Sequence, residues 1–158
     1  MKRVRLPLIS RFNTKKFGFV LPEILLVMFL IGFMATIGIS VYRGQIFKSY
    51  DARRKSDLHR LKLTVEEYEK DYNCYPETIP SCTSATNELE DYIGKIPCDP
   101  ETQADYTYET DTISCHSWFK IYATLKNLND PIIEELGCSS GCGPSNLYNF
   151  YVSSSNAP

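Results

Sequence analysis

The feature that most constrains this chain is an uninterrupted apolar run near its N-terminus. From Ile24 to Tyr42 there are 19 consecutive residues without a charged side chain, and the run ends at Arg43. A helix of this length spans about 28 Å, close to the roughly 30 Å hydrocarbon core of a bilayer. The run therefore predicts a helix that can cross a membrane once, and the residues after it suffice for one modest domain.

Charge is distributed unevenly around this run. The first 18 residues contain six of the 17 basic residues and no acid, so the chain from Phe19 onward has 11 basic and 19 acidic residues. The six basic residues are Lys2, Arg3, Arg5, Arg11, Lys15 and Lys16. The positive-inside rule keeps this end cytoplasmic and predicts a single-pass protein with an extracytoplasmic C-terminal domain. The acidic body makes nucleic acid an unlikely partner, because it repels phosphate.

Helical periodicity continues beyond the apolar run. Apolar side chains recur at spacings of three and four residues, at Leu58, Leu61, Val65, Tyr68 and Tyr72. Such spacing is typical of one face of an amphipathic helix. We therefore expect one helix from about Val20 to about Tyr72, with a membrane segment at 19–42 and an amphipathic extension at 43–73.

The remaining residues, 74–158, are expected to form a cysteine-rich loop and β-sheet region. Alternation of apolar and polar residues, or strand-forming composition, predicts three short strands at Tyr106–Thr110, Trp118–Leu125 and Leu147–Val152. Packed against the apolar stripe, they would form a small antiparallel sheet. The expected fold class is α+β, with a long N-terminal helix, half of it transmembrane, packed on this sheet.

Six cysteines lie in this C-terminal region, at Cys74, Cys82, Cys98, Cys115, Cys138 and Cys142. An even count in an exported region favours structural disulfides over free thiols. Fifteen connectivities are possible, and pairing each cysteine locally suggests Cys74–Cys82, Cys98–Cys115 and Cys138–Cys142. Zinc binding remains an alternative for Cys138 and Cys142, although no second short pair of cysteines would complete the site.

The junction KKFGFVLPEILLV resembles the class III leader of type IV prepilins. The family pattern is a basic leader, a glycine, usually a phenylalanine, then a glutamate within a long apolar helix; here Gly18, Phe19 and Glu23 match it. The resemblance implies a leader at 1–18, cleavage after Gly18 by a prepilin peptidase and methylation of the new N-terminus at Phe19. It also implies that Glu23 pairs with the α-amine of a neighbouring subunit during assembly.

A second resemblance lies in the extracytoplasmic part. The run DLHRLKLTVEEYEKDYNCYP and the later IPCDPETQADYTYE are similar to the major pseudopilin of type II secretion. The two resemblances together cover about residues 15–127. They imply a pilin-like fold, a filament of this and related subunits, a membrane platform and an ATPase as partners, and an inner-membrane precursor surrounded by lipid. A secretion pseudopilus, a pilus and a DNA-uptake filament remain open, as does a major or minor role.

The chain departs from the pseudopilin pattern late in the sequence. In place of an Asp-rich calcium loop it has DPIIEE, with Asp130, Glu134 and Glu135. Calcium prefers six to eight oxygen ligands, so we expect solvated charges and no cofactor. His59 and His116 lack the company of a nucleophile or phosphate loop, and we expect no enzyme. The alternative function is a monomeric, signal-anchored binding domain, with or without a metal.

Overall fold

The computed structural model describes residues 21–85 and 89–158. The elements in these residues are α1 (Leu21–Tyr72), β1 (Thr107–Thr110), β2 (Phe119–Ala123), α2 (Pro131–Glu135), a 3₁₀ turn (Pro144–Asn146) and β3 (Phe150–Ser153). The protein is therefore α+β, with an apolar N-terminal helix and a small three-stranded antiparallel sheet. The expected leader at 1–18, with Gly18, and the expected new N-terminus at Phe19 lie outside the described residues.

The chain divides into two units between Val41 and Tyr42. In the first unit, the described residues belong to the first half of α1, and every side chain from Leu21 to Ile39 is exposed. Apolar residues have high helix propensity when unbranched, and no proline lies in this half beyond Pro22, which is tolerated in a first turn. The first unit thus has an apolar surface on all sides.

The second unit is organised around the apolar stripe of α1. Leu58, Leu61 and Val65 are at most 1 % exposed and share one hydrophobic cluster with the inward side chains of β2. Burying each such side chain contributes about 1.5–3 kcal/mol. Tyr68 is partly buried and Tyr72 is 60 % exposed, so the stripe loses its cover in the last turn of the helix. The predicted packing of a sheet on the stripe is confirmed.

The sheet is a meander in the order β1-β2-β3, with both pairs antiparallel. Its strands fall inside the three predicted stretches or extend one residue beyond them. On the outer face, Tyr122 of β2 stacks on Tyr148 and contacts Tyr151, so it is only 3 % exposed. Gly143 approaches the same ring with φ +70°, and a Cβ there would lie 2.7 Å from a ring carbon. Only glycine accommodates both the backbone angle and the contact.

Three disulfides close the second unit and correct two of the expected pairings. They are Cys74–Cys115, Cys82–Cys98 and Cys138–Cys142, with Cα–Cα distances of 5.1, 5.2 and 5.1 Å. The local pairings Cys74–Cys82 and Cys98–Cys115 are wrong, whereas the pairing of Cys138 with Cys142 is confirmed. The reason is tertiary: directly after α1, Tyr75 N–H donates to the His116 carbonyl at 3.0 Å, which sets Cys74 beside Cys115.

Candidate functional site

The first candidate site is the exposed apolar surface of α1. The segment Leu21–Ile39 has 19 residues and a mean hydropathy of 2.1, and by length and composition it can cross a membrane. None of this segment is buried within the structure. Water does not stabilise so large an apolar surface, so lipid or other apolar helices are suitable surroundings.

Glu23 is the single charged residue of this segment. It lies in the first turn of α1 and is exposed, and its carboxylate has no partner among residues 21–85 and 89–158. A carboxylate in the first turn is favoured by the helix dipole, but in hydrocarbon a charge costs a few kcal/mol. The expected roles of Gly18 and Phe19 concern residues outside the described part of the chain.

The second candidate site is a charged cluster around Arg54, which is 2 % exposed. Its guanidinium binds both carboxylate oxygens of Asp99, at 2.7 and 3.1 Å, and also contacts Glu101 at 2.8 Å and Asp51 at 3.1 Å. Lys126 reaches Glu101 at 3.3 Å. We call these five residues the Arg54 cluster. A bidentate guanidinium–carboxylate pair is among the strongest polar contacts in proteins.

The Arg54 cluster joins α1 to two separate loops. The loop before β1 supplies Asp99, whose Oδ1 also accepts the N–H groups of Glu101 and Thr102 at 2.9 Å. Beyond β2, the N–H groups of Lys126 and Asn127 donate to the two oxygens of Asp51, each at 2.8 Å. Every buried charge therefore has several partners, which is what burial of charge requires. The cluster holds the helix to the loops at both sides.

The pKa of Asp99 reflects this environment. Burial by itself raises the pKa, but hydrogen bonds from Arg54 and from two backbone N–H groups outweigh it, and the pKa lies below its ordinary value. The pKa of Arg54 is raised, chiefly by its hydrogen bond to Asp99. Both groups are therefore charged at neutral pH. The cluster is built for fixed attraction and not for proton transfer.

The two segments that carry the pseudopilin resemblance lie against each other. Tyr106 donates its hydroxyl to Asp57 at 3.1 Å, and Tyr108 donates to the Pro76 carbonyl at 2.7 Å. Burial raises the pKa of Asp57, and the Tyr106 hydrogen bond opposes that rise. These side chains are thus contact partners between α1, the residues that follow it and the entry into β1.

The residues considered for metal binding have other roles. Asp130 caps α2 by accepting the Ile132 N–H and pairs with Lys55 at 2.6 Å, while Glu134 and Glu135 are exposed. All six cysteines form disulfides. Within residues 21–85 and 89–158, no three His, Cys, Asp or Glu side chains are grouped as a metal site would need.

The two histidines occupy different settings. His59 is exposed on α1. His116 Nδ1 lies 2.7 Å from the Asp111 carbonyl and 3.1 Å from its carboxylate, and the Ser117 hydroxyl donates to that same carboxylate at 2.5 Å. The serine thus bonds to the acid instead of the imidazole, so this group is not arranged as a nucleophile with its base. It fixes the turn that leads into β2.

Sequence reasoning missed the Arg54 cluster, although a signal was present. Arg54 lies four, seven and eleven residues before Leu58, Leu61 and Val65, which puts it on the buried face of α1. A buried arginine on an apolar helix face is stable only when carboxylates pair with its charge, and Asp99 in the loop before β1 is one such carboxylate. No family model matches the chain, and no solved structure matches it significantly.

Proposed function

We propose that this chain is a type IV pilin-like subunit that polymerises through its N-terminal helix into an envelope-spanning filament. The observation that carries the proposal is the combination, in Leu21–Ile39 of α1, of an apolar surface exposed on all sides and one acid, Glu23, that has no partner among the described residues. A membrane anchor alone needs no such acid. A helix that leaves the bilayer to pack against copies of itself needs both an apolar surface and a means of setting register.

In the proposed mechanism the basic leader stays in the cytoplasm and a prepilin peptidase cuts after Gly18. The new α-amine of Phe19 is methylated and neutralises Glu23 of a neighbouring subunit. Before cleavage a peptide bond joins Gly18 to Phe19, so the α-amine of Phe19 exists only after processing. Cleavage is therefore the step that makes assembly favourable.

The second unit supports this role as an extracytoplasmic domain. The Cys74–Cys115 disulfide joins the end of α1 to the residues before β2, and the Arg54 cluster joins α1 to two loops; the other two disulfides close loops of the same unit. Disulfides persist in oxidising compartments outside the cytoplasm. A membrane platform and a cytoplasmic ATPase would drive assembly, and the pseudopilin-like motifs favour a type II secretion filament over a pilus.

The test begins with the N-terminus of protein extracted from membranes of cells that have the assembly machinery. Mass spectrometry should find methylated Phe19 as the first residue. Gly18→Ala should leave the precursor uncut, because the peptidase accommodates a position without a side chain.

Assembly is tested with Glu23→Ala and Glu23→Gln, and Glu67→Gln, an exposed acid of the same helix, is the matched control. Removing one member of a buried ion pair costs about 3–5 kcal/mol, so both Glu23 variants should be cleaved but yield few filaments. Shearing and electron microscopy measure the yield. Normal filaments from both variants would refute the pairing. An intact Met1 in a monomeric, ligand-binding protein would establish the signal-anchored alternative.

A further inference from the structure

A basic groove lies along one side of α1 in the second unit. It has a volume of about 290 Å³, and its cations are Arg53, Arg60 and Lys95. All three side chains are exposed and form no ion pair with any of the described residues. The one acid in the lining is Asp57, which accepts the Tyr106 hydroxyl and interacts with the charges of Arg53 and Arg60, so it offsets one of the three cations. Three cations unpaired in this way stand out in an acidic domain.

The opposite side of α1 faces two exposed acids of α2, and it also presents Lys48 and Lys55. Residues two positions apart on an α-helix are separated by about 200° of rotation about its axis, so Arg53 and Lys55 point to opposite sides. Lys55 binds Asp130, the residue that caps α2. The helix α2 is therefore on the side away from the groove. Its Glu134 and Glu135 are exposed and form no ion pair with the described residues.

We propose that the basic groove of one copy receives the acidic α2 of a second copy. The inference rests on the proposed function, because copies that repeat in one direction along a filament present opposite sides to each other. Complementary patches on opposite sides form a heterologous contact, which repeats into an open chain instead of closing as a dimer. The contact would join the extracytoplasmic units of neighbouring subunits.

Charge indicates which partner binds in the groove. A net-acidic partner is attracted by the groove, and the chain itself supplies exposed carboxylates on the side that a parallel neighbour presents. Lipid phosphate and nucleic acid carry the same sign of charge, but neither has a fixed position opposite the groove. Their binding is therefore an outcome that the experiment must distinguish.

The test uses a carbodiimide that couples carboxylates to amines at zero length, applied to membranes containing the full chain. We expect a covalent dimer in which Lys95 of one copy is joined to Glu134 or Glu135 of another. High salt should reduce its yield, because the groove is exposed to solvent. Lys95→Arg should abolish the link while assembly persists, and Lys70→Arg, which changes an exposed lysine elsewhere on α1, should leave it intact.

Charge reversal provides the second arm. Arg60→Glu should lower dimer yield about tenfold, since like charges then meet, and adding Glu134→Lys in the same chain should restore it. A dimer linked through other residues, or no dimer at low salt, would overturn the inference. So would a groove occupied by lipid or nucleic acid, because no carboxylate adduct would form. If the expected link forms in cells that make no filaments, the contact stands and the proposed filament function fails.

Discussion

Replacement of Arg54 by methionine should be among the most damaging substitutions in the second unit. Methionine fills a similar volume, but it leaves the carboxylates of Asp51 and Asp99 buried without their cation. The side chains of these acids are 4 % and 13 % exposed, respectively. Breaking a buried ion pair by removing one partner costs about 3–5 kcal/mol. For a unit of roughly 120 residues, this lowers the melting temperature by about 10–20 °C.

Two further variants isolate the cause. Arg54→Lys keeps the charge but loses the planar fork that binds Asp99, so it should cost about 1.5–3 kcal/mol. Arg53→Met removes the neighbouring arginine, which is exposed, and should change the free energy of unfolding by no more than about 0.5 kcal/mol. The melting temperature should therefore be highest for Arg53→Met, lower for Arg54→Lys and lowest for Arg54→Met.

Thermal unfolding of the full chain in detergent, with the disulfides intact, measures these effects. Near-ultraviolet circular dichroism reports on the second unit, because the single tryptophan, Trp118, lies beside β2. If Arg54→Met melted at the same temperature as Arg53→Met, the Arg54 cluster would not stabilise the second unit. The Arg54 cluster would then be a consequence of the fold instead of a cause of its stability.

Three other predictions follow from the second unit. The pKa of Asp99 in the folded protein lies below its ordinary value, so the Asp99 carboxylate stabilises the fold fully above about pH 4 and loses this effect as pH drops through the folded pKa. In urea unfolding, Asp99→Asn should therefore make the free energy of unfolding depend less on pH. Gly141→Ala should lower the free energy of unfolding by at least about 1–3 kcal/mol, the usual cost of a strained backbone, since φ is +96° and the new Cβ would meet the Asn146 carbonyl. Gly94→Ala should be nearly neutral in the same assay, because no atom lies within 4 Å of its new Cβ. Loss of the Cys74–Cys115 bridge by double serine substitution should cost about 4 kcal/mol, and unchanged thermal stability would contradict it.

The long helix and the strands could be predicted because their signals are local. An apolar run and a three-four spacing set the extent of α1 to within about one residue of Leu21–Tyr72. The alternation in FKIYA placed β2, with Phe119 and Ile121 buried as an inward pair. Periodicity reports which side of an element is covered, and here it sufficed to define the packing of helix and sheet.

Two of the three disulfides and the groove could not be predicted in the same way. Cys74 meets Cys115 because the chain after α1 returns beside the residues leading into β2, and that contact depends on the path of the chain over a sequence separation of 41. Proximity along the chain does not predict disulfide pairing when the end of a helix and the start of a strand are neighbours in space. Likewise, Arg60 and Lys95 are 35 positions apart, and only tertiary structure brings them to one groove.

The bridge between Cys74 and Cys115 also determines how a mechanical load passes through the second unit. It connects the end of α1 to the start of β2 across a Cα–Cα distance of 5.1 Å, bypassing a segment that spans 41 positions. Without the bridge, tension would reach the sheet only through the chain that leads into β1, which includes the Cys82–Cys98 loop. With it, a pull on the helix is carried covalently into the central strand. The bypassed segment, which contains β1, Asp99 and Glu101, is thereby relieved of that load.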